Sequence, residues 1–229
     1  MNKKLCMALA SGLVLLSLNS AQALTVKGET TFSGVSTGTK TYVDYIYTDE
    51  GPILETTDAA FNFVKGTAAE YDTGSAWHYY YQVENPNDVD IVAFSLNVFP
   101  GTVLTAGWIT AVNIDDAATF DHNGVAGDHE AAWVAGPTDP SDVLFNPSGI
   151  APNISYDFDT PNNNLTINEY STVLFISCDE PAGFKFSSMQ NGESYNGLLP
   201  VPRNPVPEPI SMVLLASSVL GIYLRKRIS

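Results

Sequence analysis

Short runs of alternating apolar and polar residues recur along this chain of 229 residues. The clearest run is WHYYYQVEN at residues 77–85, whose odd-numbered residues, from Trp77 to Val83, lie on one side of an extended strand. We expect that side to be packed. The other side, which includes His78 and Tyr80, is expected to face solvent, as in an antiparallel sheet with one wet face.

A second run of this kind, IVAFSLNVF at residues 91–99, follows an Asn-Pro-Asn-Asp turn, and this predicts a hairpin-like pair with the first run. A short helix is predicted only over Asp58–Lys65. Clusters of Gly, Pro, Asn and Asp separate the strand-like runs, so the sequence predicts an all-β fold, an antiparallel β-sandwich over residues 24–199. The further strand-like runs are residues 41–47, 102–109, 154–159, 172–177 and 184–188.

Cysteine content limits how this domain is stabilised. The chain has two cysteines, and Cys6 lies in the N-terminal apolar segment described next, so Cys178 has no disulfide partner within the domain. Cys178 ends the apolar run TVLFISC and is expected to be a small, mostly buried residue. A catalytic thiol needs a histidine base, and no such signature accompanies it.

The N-terminus predicts export. Lys3 and Lys4 precede the apolar run Leu5–Leu18, and Ala21 and Ala23 form a small-residue cleavage site. This order is typical of a secretory signal peptide over residues 1–23, cut by signal peptidase to leave Leu24 first.

The C-terminus predicts a membrane-inserted intermediate. Ile210–Leu224 is free of charge, and at about 1.5 Å per residue it covers roughly 22 Å of the ~30 Å apolar layer. A basic tail, residues 225–229, follows, and its Arg225, Lys226 and Arg227 are predicted to remain cytoplasmic while everything before Ile210 lies outside. Five of the ten residues at positions 200–209 are proline, so we expect this segment to be a semi-rigid linker.

Charge excludes some partners. Between the two terminal segments the chain has five basic and 24 acidic side chains, a formal charge of −19. Nucleic acids and anionic membranes would be repelled at long range by such a domain, whereas neutral surfaces and divalent cations would not.

Four residues before the apolar tail carry a family resemblance. Val206, Pro207, Glu208 and Pro209, followed by a short apolar helix and a terminal basic cluster, resemble the PEP-CTERM sorting signal of bacterial envelope proteins. The resemblance covers about the last two dozen residues. It implies recognition by exosortase, removal of the helix, and delivery to the cell surface or medium with a structural or adhesive role in exopolysaccharide or biofilm.

Calcium is the one cofactor that the sequence suggests. The segment NIDDAATFDHNGVAGDHE, residues 113–130, is rich in the oxygen ligands that calcium prefers, although it lacks EF-hand spacing. An acidic surface loop is the competing interpretation, and the spacing of His122 and His129 fits no zinc motif. The candidate ligands are Asp115, Asp116, Asp121, Asn123, Asp128 and Glu130.

No residue is predicted to be catalytic. Paired carboxylates would suit a polysaccharide hydrolase, but acidic residues are abundant everywhere, and nucleophile-elbow, phosphate-loop and dinucleotide-binding motifs are absent. Exposed aromatic rings would instead suit a calcium-dependent carbohydrate-binding module, and Tyr80 is the first candidate for stacking on a sugar. The sequence therefore favours a non-enzymatic exported protein and leaves carbohydrate binding and hydrolysis as alternatives.

Overall fold

The structure, a computed structural model, describes residues 24–34, 39–54, 56, 59–86, 89–99, 103–112, 138–146, 152–159, 164–167, 169–191 and 193–203. These residues form twelve β-strands and one short helix, α1 (Ala68–Thr73). The strands are β1 (Thr25–Gly34), β2 (Lys40–Thr48), β3 (Ala59–Lys65), β4 (Trp77–Asn85), β5 (Ala93–Asn97), β6 (Thr105–Val112), β7 (Asp142–Asn146), β8 (Asn153–Asp157), β9 (Glu169–Tyr170), β10 (Val173–Cys178), β11 (Ala182–Gln190) and β12 (Ser194–Pro202).

All these strands belong to one sheet with the order β3-β6-β10-β4-β2-β1-β12-β11-β5-β8-β7, and β9 pairs with the end of β4. Each pair of neighbouring strands in it is antiparallel. The two end strands also meet, because Nζ of Lys65 in β3 lies 4.8 Å from the ring centre of Phe145 in β7. The sheet is therefore nearly closed. The predicted all-β class is confirmed, whereas the division into two packed sheets stays a prediction.

The predicted hairpin between the first two runs is wrong. Residues 77–85 do form β4, but β4 pairs with β10 and β2, while β5 pairs with β11 and β8 on the other half of the sheet. The buried Asn85 directs this crossing, since its Nδ2 donates to the carbonyl oxygens of Val89 (3.0 Å) and Leu165 (2.8 Å). The chain after β4 is thereby held to Leu165 and does not turn back along β4.

Both faces of β4 are buried, which corrects the prediction of one wet face. The odd-numbered side chains enter the main core, together with residues from both halves of the sheet. The even-numbered Tyr80 belongs to a second, smaller apolar cluster on the opposite face. This cluster consists of Ile46, Tyr71, Tyr80, Ile109, Val173 and Phe175, with Ile53, Leu54, Phe61 and Phe63 packed against it.

The segment predicted as a helix was residues 58–65, and its described residues, 59–65, form strand β3 instead. Its alternating Phe61 and Phe63 place both rings on Phe175, with ring centres 5.5 Å apart in each case. Gly107 in β6 allows the close approach of β3, because a Cβ there would stand only 1.9 Å from the carbonyl oxygen of Asn62. Burial of the aromatic rings therefore outweighs local helix preference.

The helix lies a few residues later and begins with a recognisable capping signal. Thr67 is the N-cap of α1, and its Oγ1 accepts a hydrogen bond from the backbone nitrogen of Glu70 at 3.3 Å. The Thr67 hydroxyl also donates to Oε2 of Glu70 at 3.0 Å. The sequence Thr-Ala-Ala-Glu at 67–70 thus has the spacing typical of a helix start.

Two prolines that the sequence assigned to the linker belong to the sheet. Pro200 and Pro202 pair with Phe184 and Ala182 of β11, so the folded domain extends three residues past the predicted boundary. Proline is tolerated because its missing N–H faces the side of β1, whose backbone pairing with β12 is confined to Tyr195 and Asn196. The Pro200 carbonyl on that side accepts a hydrogen bond from the Tyr81 hydroxyl at 2.6 Å.

The Tyr81 hydroxyl joins the two halves of the sheet and is buried, so we expect Tyr81→Phe to destabilise the domain. Loss of the bond leaves the Pro200 carbonyl without this donor, and the free energy of unfolding should fall by about 1–3 kcal/mol in urea denaturation. Tyr45→Phe is the matched control, because Tyr45 is only half-buried. Equal stability of the two variants would contradict the assigned role of Tyr81.

Candidate functional site

Most of the sequence-predicted site residues lie outside the described residues. These are the cleavage-site residues Ala21 and Ala23, the sorting residues Val206, Pro207, Glu208 and Pro209, the basic cluster Arg225, Lys226 and Arg227, and the calcium candidates Asp115, Asp116, Asp121, Asn123, Asp128 and Glu130. Within the described part of the chain, no group of three or more His, Cys, Asp or Glu side chains is placed to hold a metal ion. Calcium binding therefore stays a prediction.

Tyr80, the predicted sugar-stacking residue, is fully buried, and the prediction was wrong for this position. Its hydroxyl accepts from the backbone nitrogen of Ile53 (3.0 Å) and lies 2.7 Å from the Tyr71 hydroxyl, which donates to the carbonyl of Leu54 (3.0 Å). Helix α1 and residues 53–54 cover the face that the alternation alone suggested was wet. Tyr80 is therefore part of the packing between the sheet and α1.

His78 is also buried, on the same face as Tyr80, and not exposed as predicted. Its ring packs edge-on against Tyr71, with ring centres 5.0 Å apart. Burial lowers the pKa of His78 to about 4, although the nearby Asp72 carboxylate acts in the opposite direction. His78 is consequently neutral in the folded protein at neutral pH.

This burial makes stability depend on pH in a defined window. In the unfolded chain His78 binds a proton below its ordinary pKa of about 6.5, whereas in the folded protein it does so only below about 4. Stability is therefore lost as the pH falls from about 6.5 to about 4. Between pH 7 and pH 4, we expect the free energy of unfolding of His78→Gln to fall by about 3 kcal/mol less than that of the parent, as measured by urea denaturation. Parallel pH profiles of parent and variant would contradict this.

Cys178 is buried, as predicted, and its environment suppresses its reactivity. Burial raises the pKa of the Cys178 thiol to about 12, and Sγ lies 3.3 Å from the carbonyl oxygen of Glu180. A thiol in this state forms almost no thiolate at neutral pH. Cys178 has the surroundings of a structural residue.

Thiol labelling tests this directly. At pH 8 we expect iodoacetamide to leave Cys178 of the folded mature protein unmodified for hours, because both thiolate and access are lacking. In urea the thiol should react at the rate of a free cysteine. Rapid modification of the folded protein, with unchanged circular dichroism, would show that Cys178 is accessible and activated.

The largest exposed aromatic side chains in the described residues lie on β11. Phe184 is 54% exposed and Phe186 67% exposed, and Leu198 of the neighbouring β12 is 44% exposed. Phe186 stands opposite Leu198 in the strand register. The outward residues of β5, β11 and β12 are called here the β11–β12 face: Ala93, Ser95, Asn97, Phe184, Phe186, Ser188, Gln190, Ser194, Asn196 and Leu198.

Strand β11 reverses the usual distribution of apolar and charged residues. Lys185 lies on the inward side with the buried Ser187 and Met189, and its Nζ donates to the carbonyl oxygen of Val98 at 2.8 Å. The same Nζ lies 4.7 Å from the ring centre of Phe99. The sequence FKFSS predicted this strand, but its alternation did not reveal which side faces solvent.

Two polar side chains of the face, those of Asn97 and Ser95, are held by local hydrogen bonds. Nδ2 of Asn97 donates to the carbonyl oxygen of Phe186 at 2.6 Å, which fixes the amide beside the exposed ring. Ser95 and Ser155 share a hydrogen bond of 3.0 Å, and Ser95 stands opposite Ser188. The face thus combines exposed aromatic rings with uncharged polar groups, of which Asn97 and Ser95 are held in place.

Beyond β12, the chain has a second functional segment at residues 205–227, which match the family model of the PEP-CTERM protein-sorting motif. The chain carries a PEP-CTERM motif. The matched segment contains Val206–Pro209 and Arg225–Arg227, and the suspected resemblance is confirmed. The PEP-CTERM motif implies export, a membrane-anchored intermediate and processing by exosortase.

No curated protein and no solved structure matches the chain. In the described residues, no helix has the length and apolar character needed to cross a membrane, and residues 210–224 lie outside them.

Proposed function

We propose that this chain is a non-catalytic structural or adhesive protein of the extracellular polymer or biofilm matrix, delivered there by exosortase. The observation that carries the proposal is the PEP-CTERM motif at residues 205–227, which begins two residues after the last described residue, Arg203. A folded domain followed directly by a sorting signal suits a protein whose final location is outside the membrane. The proposed structural or adhesive role is that of the domain after exosortase has processed the sorting signal.

The domain is suited to persist outside the cell. Its stability depends on buried aromatic packing and on hydrogen bonds such as Tyr81 to Pro200, not on a disulfide. The charge of −19 between the two terminal segments favours solubility and weakens contact with anionic surfaces. Both properties support a freely standing extracellular domain.

A non-catalytic role is part of the proposal. Among the described residues, Cys178 and His78 have side chains suited to catalysis, but both are buried. Burial raises the pKa of Cys178 and lowers that of His78, so both side chains are neutral at neutral pH. A calcium-dependent carbohydrate-binding module and a polysaccharide hydrolase are the alternatives that remain. Turnover of a polysaccharide by the purified protein would favour the hydrolase.

In the membrane-anchored intermediate, the domain lies near the membrane. Seven residues, 203–209, lie between the end of β12 at Pro202 and Ile210, and at about 3.3–3.6 Å per residue they reach at most roughly 25 Å. The end of β12 therefore stays within this distance of the inserted segment. Exosortase must therefore act close to the folded domain. The sorting residues, including Glu208, fall within this short tether.

Intact mass of the protein recovered from its own cells tests the proposal. We expect a species that starts at Leu24, ends near Pro207 and is found at the surface or in the medium. Glu208→Gln should leave the precursor in the membrane fraction, because the variant lacks the carboxylate that we propose a basic enzyme group binds. Asp179→Asn, which removes one exposed acidic group of the domain, is the matched control. Recovery of the parent protein with residues 210–229 still attached would overturn the proposal.

A further inference from the structure

We propose that the β11–β12 face binds a neutral polysaccharide chain, with Phe184 and Phe186 as the stacking rings. This inference rests on the proposed extracellular function and names the surface and the class of ligand. Phe184 and Phe186 are two positions apart on one strand, so their rings rise from the same side roughly 7 Å apart. Leu198 extends the apolar strip onto the next strand.

The chemistry of the face matches the two sides of a sugar ring. A pyranose presents a patch of C–H groups that packs against an aromatic ring, and a rim of hydroxyl groups that need hydrogen-bond partners. The exposed Phe184 and Phe186 meet the first need. Asn97 and Asn196, with neighbouring serines, supply amides and hydroxyls for the second.

Charge selects a neutral polymer. All outward residues of β5, β11 and β12 that form the face are uncharged, although the exported part of the chain carries −19. An anionic polymer would be repelled by the rest of the domain, and nothing on the face would compensate by pairing with its charges. A neutral polysaccharide is not repelled by the acidic domain, and its binding desolvates no charged group.

The same charge argues against a second copy of this chain as the occupant. Two domains approaching through this face would bring together two charges of −19. Three exposed apolar side chains also form too small a dry centre, since stable interfaces bury about 800 Å² on each partner. The amides and hydroxyls around them would have to pair across a sheet-to-sheet contact, whereas sugar hydroxyls adapt to them individually.

Affinity electrophoresis tests the proposal on the full chain expressed in its own cells and recovered from envelope and medium. Native gels would contain dissolved hydroxyethyl cellulose, galactomannan or dextran as neutral probes, with alginate as the anionic comparator. We expect at least one neutral polymer to retard the protein and alginate not to do so. Phe184→Ala and Phe186→Ala should each weaken the retardation by about tenfold or more.

Leu144→Ala is the matched control, because Leu144 is 61% exposed but lies on β7, outside the face. It should bind like the parent, and all variants should keep the parent's urea midpoint. Failure of every neutral polymer to retard the parent would overturn the proposal, as would equal retardation of the parent and Phe186→Ala. Sedimentation that changes from dimer to monomer in Phe186→Ala, with sugar retardation unchanged, would assign the face to a second copy.

These outcomes are independent of the sorting test. Retardation is measured whether or not exosortase has removed residues 210–229, and intact mass is measured whether or not the protein binds sugar. A sorted protein that binds no neutral polymer overturns only the present inference. A protein that binds a neutral polymer but retains its tail overturns the sorting proposal alone.

Discussion

Three consecutive tyrosines in β4 hold together parts of the chain that are far apart in sequence. Tyr79 donates to the carbonyl oxygen of Glu180 after β10, at 2.7 Å, and Tyr81 donates to Pro200 in β12, at 2.6 Å. Tyr80, on the opposite face, contacts the Tyr71 hydroxyl of α1. Because all three rings are fully buried, their hydroxyls need partners, and these partners determine where the adjoining segments pack. In a domain without a disulfide, these hydroxyls connect the sheet, the helix and the last strand.

The sequence predicted seven of the twelve strands, because alternation is a local property, but it missed β1, β7, β9 and β12 and assigned β3 to a helix. It predicted strand pairing poorly, because pairing is not a local property. The run at residues 77–85 is strand β4, yet its partners are set by burial of Asn85 and the tyrosines, which no local pattern reveals. Tyr80 and His78 were misassigned for the same reason, since α1 and residues 53–54 cover them from elsewhere in the chain. The proline-rich composition concealed the end of β12, because proline is acceptable where a neighbouring strand makes no backbone pairing.

The sorting segment could be predicted from sequence to a greater degree than the surface of the domain. The residues from Val206 to Arg227 act as a linear signal, so their order alone carries the information and the family model finds it. The β11–β12 face instead depends on the pairing of β11 with β5, which is distant in the chain, and the side of β11 that faces solvent follows from tertiary packing. Only the exposed positions of Phe184 and Phe186 in the folded domain distinguish them from core residues.

The orientation of β11 indicates that its exposed rings are not a result of weak packing. A slip of one residue would exchange the two sides of the strand and bring Phe184 and Phe186 inward, which burial alone would favour. That slip would lose the bond from Lys185 to the carbonyl of Val98 and the contact of Nζ with the Phe99 ring. It would also expose Met189, which the core now buries, and shift the nine-residue register with β12. The fold thus holds the aromatic side of β11 outward through specific inward contacts, as expected if the exposed rings serve binding.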